Sequence, residues 1–154
     1  YNRILKIYNT GKKSHKWDLI YERKAYNYKM PNINAALGCS QLSNLNLRVS
    51  KKRKIFLKYK KIFKKFDKII EIKCEPKNCK SNYWLNTILL RKADMKFRND
   101  IIKKLNNIKV LARPVWRLNH RLKYLSRYPK MSLDKSVNLE KRIINIPSSS
   151  HLKI

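Results

Sequence analysis

The spacing of apolar residues changes along the chain, and each change predicts a different element. From Asn32 to about Phe66, the residues Leu42, Leu45, Val49, Phe56, Tyr59, Phe63 and Phe66 recur at steps of three, four and seven. That is one apolar stripe on a helix, interrupted by Lys52, and it predicts a single long helix with room for a bend. The other faces carry Lys51, Arg53, Lys54, Lys58, Lys60, Lys61, Lys64 and Lys65. Lysine stems cover apolar surface while their charged heads stay in water. Residues 1–25 have no clean period: Tyr1 to Tyr8 read as the end of a helix, Thr10 to Ser14 as a loop, and Trp17 to Tyr21 as a short extended piece.

After Phe66 the pattern alternates. Ile69 to Cys74 reads as a strand, Pro76 to Lys80 as a loop, and Tyr83 to Leu90 as a stronger strand rich in aromatic and aliphatic residues. Asp94 is placed to cap a helix whose Phe97, Ile101 and Leu105 share one face. Val110 to Val115 predicts a short strand that Pro114 keeps from a central position. A short helix is expected over Leu118–Leu125, and Ser132 is placed to cap another running to about Arg142. Ile143 to Ile146 is an apolar strand ended by Pro147. Trp84 and Trp116 read as core residues. Strands interleaved with helices predict an α+β architecture, with helices packed on one sheet.

Composition adds three constraints. The 154 residues are 43% apolar, enough for one domain with a real core, and no apolar run has transmembrane length. The start, Tyr1-Asn2-Arg3, has no initiator Met and no signal-peptide pattern, so a soluble cytoplasmic protein is expected. Cys39, Cys74 and Cys79 are odd in number and at non-motif spacing, which argues against a metal site or a disulfide framework. Charge is a further constraint: 39 Lys plus Arg against 9 Asp plus Glu, a net of +30. Such a chain attracts polyanions nonspecifically, and a small basic nucleic-acid-binding protein using the Lys51–Lys65 face is one functional reading. Yet the excess is mostly Lys, alongside abundant Asn, Ile and Tyr and only 2 Gly. Bias toward A- and T-rich codons produces that composition without selection for a partner.

Candidate chemistry concentrates in Tyr26-Asn27-Tyr28-Lys29-Met30-Pro31-Asn32-Ile33-Asn34-Ala35-Ala36-Leu37-Gly38 and the Cys39-Ser40-Gln41-Leu42 that follows. Pro31 disfavours helix at Met30, so the first half reads as an extended polar loop. Asn32 or Asn34 is an N-cap candidate for the helix behind it. A loop delivered onto a helix start offers backbone N–H groups, an Asn amide and Tyr hydroxyls to an anion. The alternative is a loop that packs on its own helix and binds nothing.

This stretch resembles the Gly-Tyr-Asn-Tyr-Arg-Met-Pro-Asn-x-x-Ala-Ala-x-Gly-x-x-Gln-Leu signature of the DegT/DnrJ/StrS family. These are pyridoxal 5'-phosphate (PLP) aminotransferases acting on keto sugars, mostly nucleotide-linked. His15-Lys16-Trp17 precedes the signature as in the family. Ser81-Asn82-Tyr83-Trp84-Leu85-Asn86 and Arg113-Pro114-Val115-Trp116, with His120 beyond, follow it in the family's order, and Asn145-Ile146-Pro147-Ser148-Ser149 is similar to the closing segment. The resemblance spans nearly the whole chain but only roughly the last two-fifths of such an enzyme. It implies a fold-type-I PLP transferase. Residues 1–31 would be the end of the large PLP-binding domain, 32–66 a long interdomain helix, and 67–154 a small α+β sandwich domain.

The resemblance also implies roles. Asn27 matches the residue that reaches across a homodimer interface to the partner's PLP phosphate, with Tyr26 and Tyr28 shaping the same wall or packing in the core. Lys29 stands where the family has Arg, Ala25 where it has Gly, and Lys109 where a Gly precedes the Arg113 segment. Arg113 and His120 match residues near the sugar-nucleotide pocket, with surface or second-layer packing as the alternative for each. In the family the Schiff-base lysine lies upstream, in a Ser-Phe-x-x-x-Lys context with a Gly-rich turn. Gly11 and Gly38 are the only glycines, and neither follows such a lysine. The chain alone is therefore expected to be inactive. The intact enzyme would move an amino group from a donor such as glutamate onto a keto sugar nucleotide for surface polysaccharide or glycan synthesis. Pro-Asn-Ile-Asn-Ala-Ala-Leu-Gly-Cys and Arg-Pro-Val-Trp lean toward the branch making legionaminic- or bacillosamine-type amino sugars.

Overall fold

The computed structural model describes residues 1–13 and 15–152. The chain divides into two compact units, residues 1–45 and 46–154. In the first, helix α1 (Asn2–Tyr8) leads into a two-stranded antiparallel ribbon of β1 (Lys12–Lys13) and β2 (Ile20–Tyr21), followed by helix α2 (Asn32–Ser43). The expected single helix over Asn32–Phe66 is divided. Asn44 leaves the helical region at φ −102°, ψ 3°, and a second helix, α3, runs Leu45–Phe63 before a 3₁₀ turn over Lys64–Phe66. The cause is local. Ser43 Oγ donates to Ser40 O at 2.8 Å and Asn44 Nδ2 donates to Ser43 Oγ at 3.3 Å. Short polar side chains of this kind compete with the helix for its own backbone groups.

The second unit is built on an antiparallel sheet of β3 (Ile70–Ile72), β4 (Asn86–Leu90), β5 (Arg113–Pro114) and β6 (Ile143–Ile146), in the order β3-β4-β6-β5. β6 pairs with β4 and, on its other side, with β5, so Pro114 sits on an edge strand, where a missing N–H does least harm. The register decides the faces. Ile70, Ile88, Leu90, Ile144 and Ile146 form one buried cluster with Ala112. Tyr59 and Phe63 of α3, and Ile101, Ile102 and Leu105 of helix α4 (Met95–Asn107), pack against it. The other face carries Thr87, Asn145 and Arg113 in register across three strands. Only the middle of the expected stripe is covered: Phe56 is buried, while Leu42, Leu45 and Phe66 are 65%, 49% and 41% exposed.

Asp94 caps α4 as expected, its Oδ1 accepting from Phe97 N at 2.9 Å. Ser132 does not cap. Helix α5 is Asp134–Glu140 with Leu133 at the N-cap, and Ser132 Oγ donates to the Asp134 carboxylate at 2.7 Å instead. Leu118–Leu125 is not one helix but two 3₁₀ turns, Asn119–Arg121 and Lys123–Leu125, with Leu122 extended between them. Eight residues are too few to repay helix nucleation without a packed face. Arg98 is buried at 6% exposure, and its Nη1 donates to the Glu140 carbonyl. The Glu140 carboxylate lies 3.0 Å from Arg121 Nη2 as an ion pair without hydrogen-bond alignment.

Arg53 of α3 anchors the loop after β3. Its guanidinium donates to both Glu75 carboxylate oxygens at 2.6 and 2.9 Å and to Ser81 O at 2.6 Å. It also lies 5.3 Å from the centroid of the Tyr83 ring, whose other neighbour is Phe56, stacked at 4.0 Å and 10°. Tyr83 has φ +47°, a costly conformation for an aromatic residue, and these contacts hold it there. Hydrogen bonds from Arg53 and from Ser81 N–H bring the Glu75 carboxyl down to about 2. A lowered folded-state pKa contributes stability above the ordinary value of 4.5, which is lost as pH falls through about 2. Denaturation midpoints should therefore drop more steeply between those limits in the parent than in Glu75→Gln. Parallel curves would mean that the clamp contributes nothing.

Candidate cofactor and substrate sites

In the first unit the backbone around Asn27 is pinned. Asn9 and Asn27 form an antiparallel bridge, Tyr26 N donates to Ile7 O, Thr10 N to Tyr26 O, and Tyr28 N to Tyr8 O, each at 3.0 Å. The Asn27 side chain is exposed, and its amide has no partner among the described residues. A fixed backbone with a free double donor is the arrangement needed to reach a phosphate oxygen. Tyr26 and Tyr28 are not core: they are 62% and 69% exposed and stack on each other at 5.2 Å and 17°. Pro31, at φ −61° and ψ 147°, occupies the N-cap of α2 with no side-chain cap bond, so neither Asn32 nor Asn34 caps it. Asn32 already holds the first helical position. Ala25 does not take positive φ, so the Ala at this position is unstrained.

The turn that carries this arrangement depends on Gly11. Its φ is +70°, and a Cβ there would meet Arg23 O at 2.5 Å. Gly11 N donates to Lys6 O at 2.7 Å, and Glu22 N donates to Gly11 O at 3.0 Å. Gly11→Ala should cost about 1–3 kcal/mol. Hydrogen-exchange protection at Tyr26 and Tyr28 N–H should fall with it; unchanged protection would show that the turn does not set the Asn27 segment.

In the second unit Arg113 and His120 come together through Trp116. The Arg113 guanidinium lies 5.4 Å from the Trp116 ring centroid. Trp116 in turn lines an open pocket of about 540 Å³ with Val115, Leu118, His120, Leu125 and Tyr128. Arg113 itself does not line it. Asn106 sets the approach to Arg113, gripping both backbone groups of Ala112 at 2.9 and 3.1 Å. Lys109 takes φ +64°, the left-handed conformation that favours Gly.

Trp84 and Trp116 are not core residues. They are 61% and 57% exposed and face each other at 5.9 Å and 33°. Trp84 precedes β4 and Trp116 follows β5, so both lie outside the strands. Sequence reasoning also missed Lys52. Its Nζ donates to Ser148 O at 2.6 Å, and Ser148 Oγ donates to Trp84 O. Burial lowers the Lys52 pKa. The only sequence signal was its interruption of the apolar stripe. The three cysteines are free and exposed, and no group of three or more metal-ligating side chains exists among the described residues. No described helix is long and apolar enough to cross a membrane.

The whole chain, residues 1–154, matches the model of the DegT/DnrJ/EryC1/StrS aminotransferase family, and the chain belongs to that family. Aminotransferases of this family depend on PLP. The chain is 33% identical to GDP-perosamine synthase of Escherichia coli O157:H7 over 96% of its own length and 39% of that protein's. It is 35% identical to the EpsN aminotransferase of Bacillus subtilis (strain 168) over 95 residues, 62% of this chain and 24% of that protein. Its fold matches Helicobacter pylori PseC, an aminotransferase of pseudoaminic acid biosynthesis, with a TM-score of 0.87 at 19% identity. That match covers 99% of this chain and 42% of PseC. The chain thus spans about two-fifths of the length of GDP-perosamine synthase and of PseC.

Proposed function

We propose that this chain is the C-terminal portion of a PLP-dependent aminotransferase that aminates a keto sugar nucleotide for surface polysaccharide or glycan synthesis. The motif set leans toward the branch making legionaminic- or bacillosamine-type sugars. The observation that carries the reading is the family match along residues 1–154. PLP, when bound, supplies the electron sink that lets an amino group leave one carbon and join another. Asn27 would donate from its amide to a PLP phosphate oxygen of the partner subunit in a homodimer, and Tyr26 and Tyr28 would wall that phosphate. Arg113 would hold a phosphate of the sugar nucleotide, and His120 would donate to a sugar hydroxyl in the pocket below Trp116.

The chain holds no lysine in the Ser-Phe-x-x-x-Lys context. Taken alone it binds and orients but does not transfer an amino group. The DNA preceding the Tyr1 codon tests this. An open frame encoding that stretch and a Gly-rich turn is expected, and the longer product should aminate a keto sugar nucleotide from glutamate. Amino transfer by the 154-residue chain alone would overturn the reading.

A further inference from the structure

We propose that the outward face of α3 is a docking surface for an anionic lipid bilayer. Lys51, Lys54, Lys58, Lys61 and Lys65 would meet the headgroups, and Leu47, Leu57 and Ile62 would enter the boundary beneath them. The inference adds a place of action to the proposed activity and does not depend on it.

Three observations carry it. The first is phase. The five lysines recur at steps of three, four, three and four. At about 100° per residue, that spacing is one row down one side of a helix. The row lies opposite Phe56, which is buried, and Phe63, which packs on the sheet cluster. All five lysines are exposed. Codon bias supplies lysine, but it does not choose its helical phase. The second is charge. Leu45–Phe66 holds no Asp or Glu. Lys51, Lys54, Lys61 and Lys65 make no ion pair among the described residues. Neighbours in such a row stand about 5–6 Å apart, inside the Debye length of about 8 Å at physiological salt, so their fields add. Like charges at that spacing disfavour the helix, and an anionic surface removes the penalty. The third is the apolar content of the same face. Leu47, Leu57 and Ile62 are 56%, 59% and 44% exposed. Leu47 continues the row four residues before Lys51, and Leu57 and Ile62 flank it on either side.

The combination selects the partner. A nucleic-acid backbone would use the lysines and gain nothing from the leucines and the isoleucine. The outward arc also holds no arginine to fork onto phosphate and no aromatic ring to stack a base. An apolar protein surface would cover Leu57 and Ile62 and strand the ammonium groups. A bilayer with anionic lipid uses both. A cluster of about four to eight basic residues draws a helix to the headgroups, and apolar side chains beside it insert at the acyl boundary. Burying these lysines under another domain is costly, so the face stays open in a longer polypeptide as well.

The test is flotation of the 154-residue chain with phosphatidylcholine vesicles, with and without about 30% phosphatidylglycerol, at about 0.15 M salt. The anionic vesicles should bind at least about tenfold tighter. The joint substitution Lys51→Gln, Lys54→Gln, Lys61→Gln and Lys65→Gln should weaken that binding at least about thirtyfold. The control replaces Lys77, Lys80, Lys92 and Lys96, all exposed and off α3, by Gln and removes the same charge. It should weaken binding no more than about threefold. The pair Leu57→Ser and Ile62→Ser should weaken vesicle binding about tenfold and leave affinity for a short DNA duplex unchanged. Glutamine is about as good a helix former as lysine, so circular dichroism matching the parent is expected. If the fourfold row variant unfolds, Lys54→Gln with Lys61→Gln is compared with Lys77→Gln and Lys80→Gln instead. Equal losses in row and control variants would mean that net charge alone acts, and would overturn the proposal. So would serine variants that bind vesicles as the parent does. Row-dependent binding of the DNA duplex without binding to the anionic vesicles would assign the face to nucleic acid and overturn it too.

Discussion

Ile144→Ala is expected to destabilise the sheet unit by about 2–5 kcal/mol, a large part of the stability of a domain this size. Ile144 is 0% exposed and lies on β6, the strand that pairs with both β4 and β5. Its side chain belongs to the buried cluster against which residues of α3 and α4 pack. Truncation leaves a cavity that strands on both sides, held in register, cannot close. Leu111→Ala, at a residue 78% exposed, is the control and should change stability by no more than about 0.5 kcal/mol. Urea unfolding followed by far-UV circular dichroism measures both. Equal effects would mean that the core does not lie where the sheet register puts it.

The second large effect is expected at Asn27. In the longer polypeptide, Asn27→Ala should weaken PLP binding about ten- to a hundredfold, the loss of one hydrogen bond to a charged phosphate. Asn27→Asp should weaken it further, because it turns a donor into a negative charge facing an anion. Neither change should alter the stability of the chain itself by more than about 0.5 kcal/mol, because the amide makes no hydrogen bond among the described residues. That split between cofactor affinity and stability separates a phosphate ligand from a packing residue. A stability loss equal to the binding loss would assign Asn27 to the fold.

The readability of the sequence followed the range of the forces involved. Ile143–Ile146 was readable to the residue because an apolar run ended by proline needs no distant information. The Asp94 cap was readable for the same reason, since cap and capped N–H are three residues apart. The Asn44 break was present in the sequence as Ser40, Ser43 and Asn44, but the apolar stripe through Leu42 and Leu45 masked it. Ser132 failed as a cap because Asp134, two residues on, was the better partner for its hydroxyl.

The remaining misses were long-range. Lys52 and Ser148 are 96 residues apart, and Arg53 and Glu75 are 22 apart, so no local pattern announces either contact. Trp84 and Trp116 read as core because a large aromatic beside an apolar strand usually is. Their exposure became visible only once the strand ends were placed. Asn27 is a candidate through motif resemblance alone. What the structure adds is the reason its amide is free: the neighbouring backbone is held by α1.

The central claim is that this chain contributes phosphate and substrate contacts to a PLP aminotransferase but not the lysine that holds the cofactor covalently. Incubation of the 154-residue chain with PLP, borohydride reduction, and peptide mass spectrometry test it directly. The account predicts substoichiometric pyridoxyl labelling scattered over many of the exposed lysines, with no site saturating. One lysine within residues 1–154 labelled to one equivalent would contradict it.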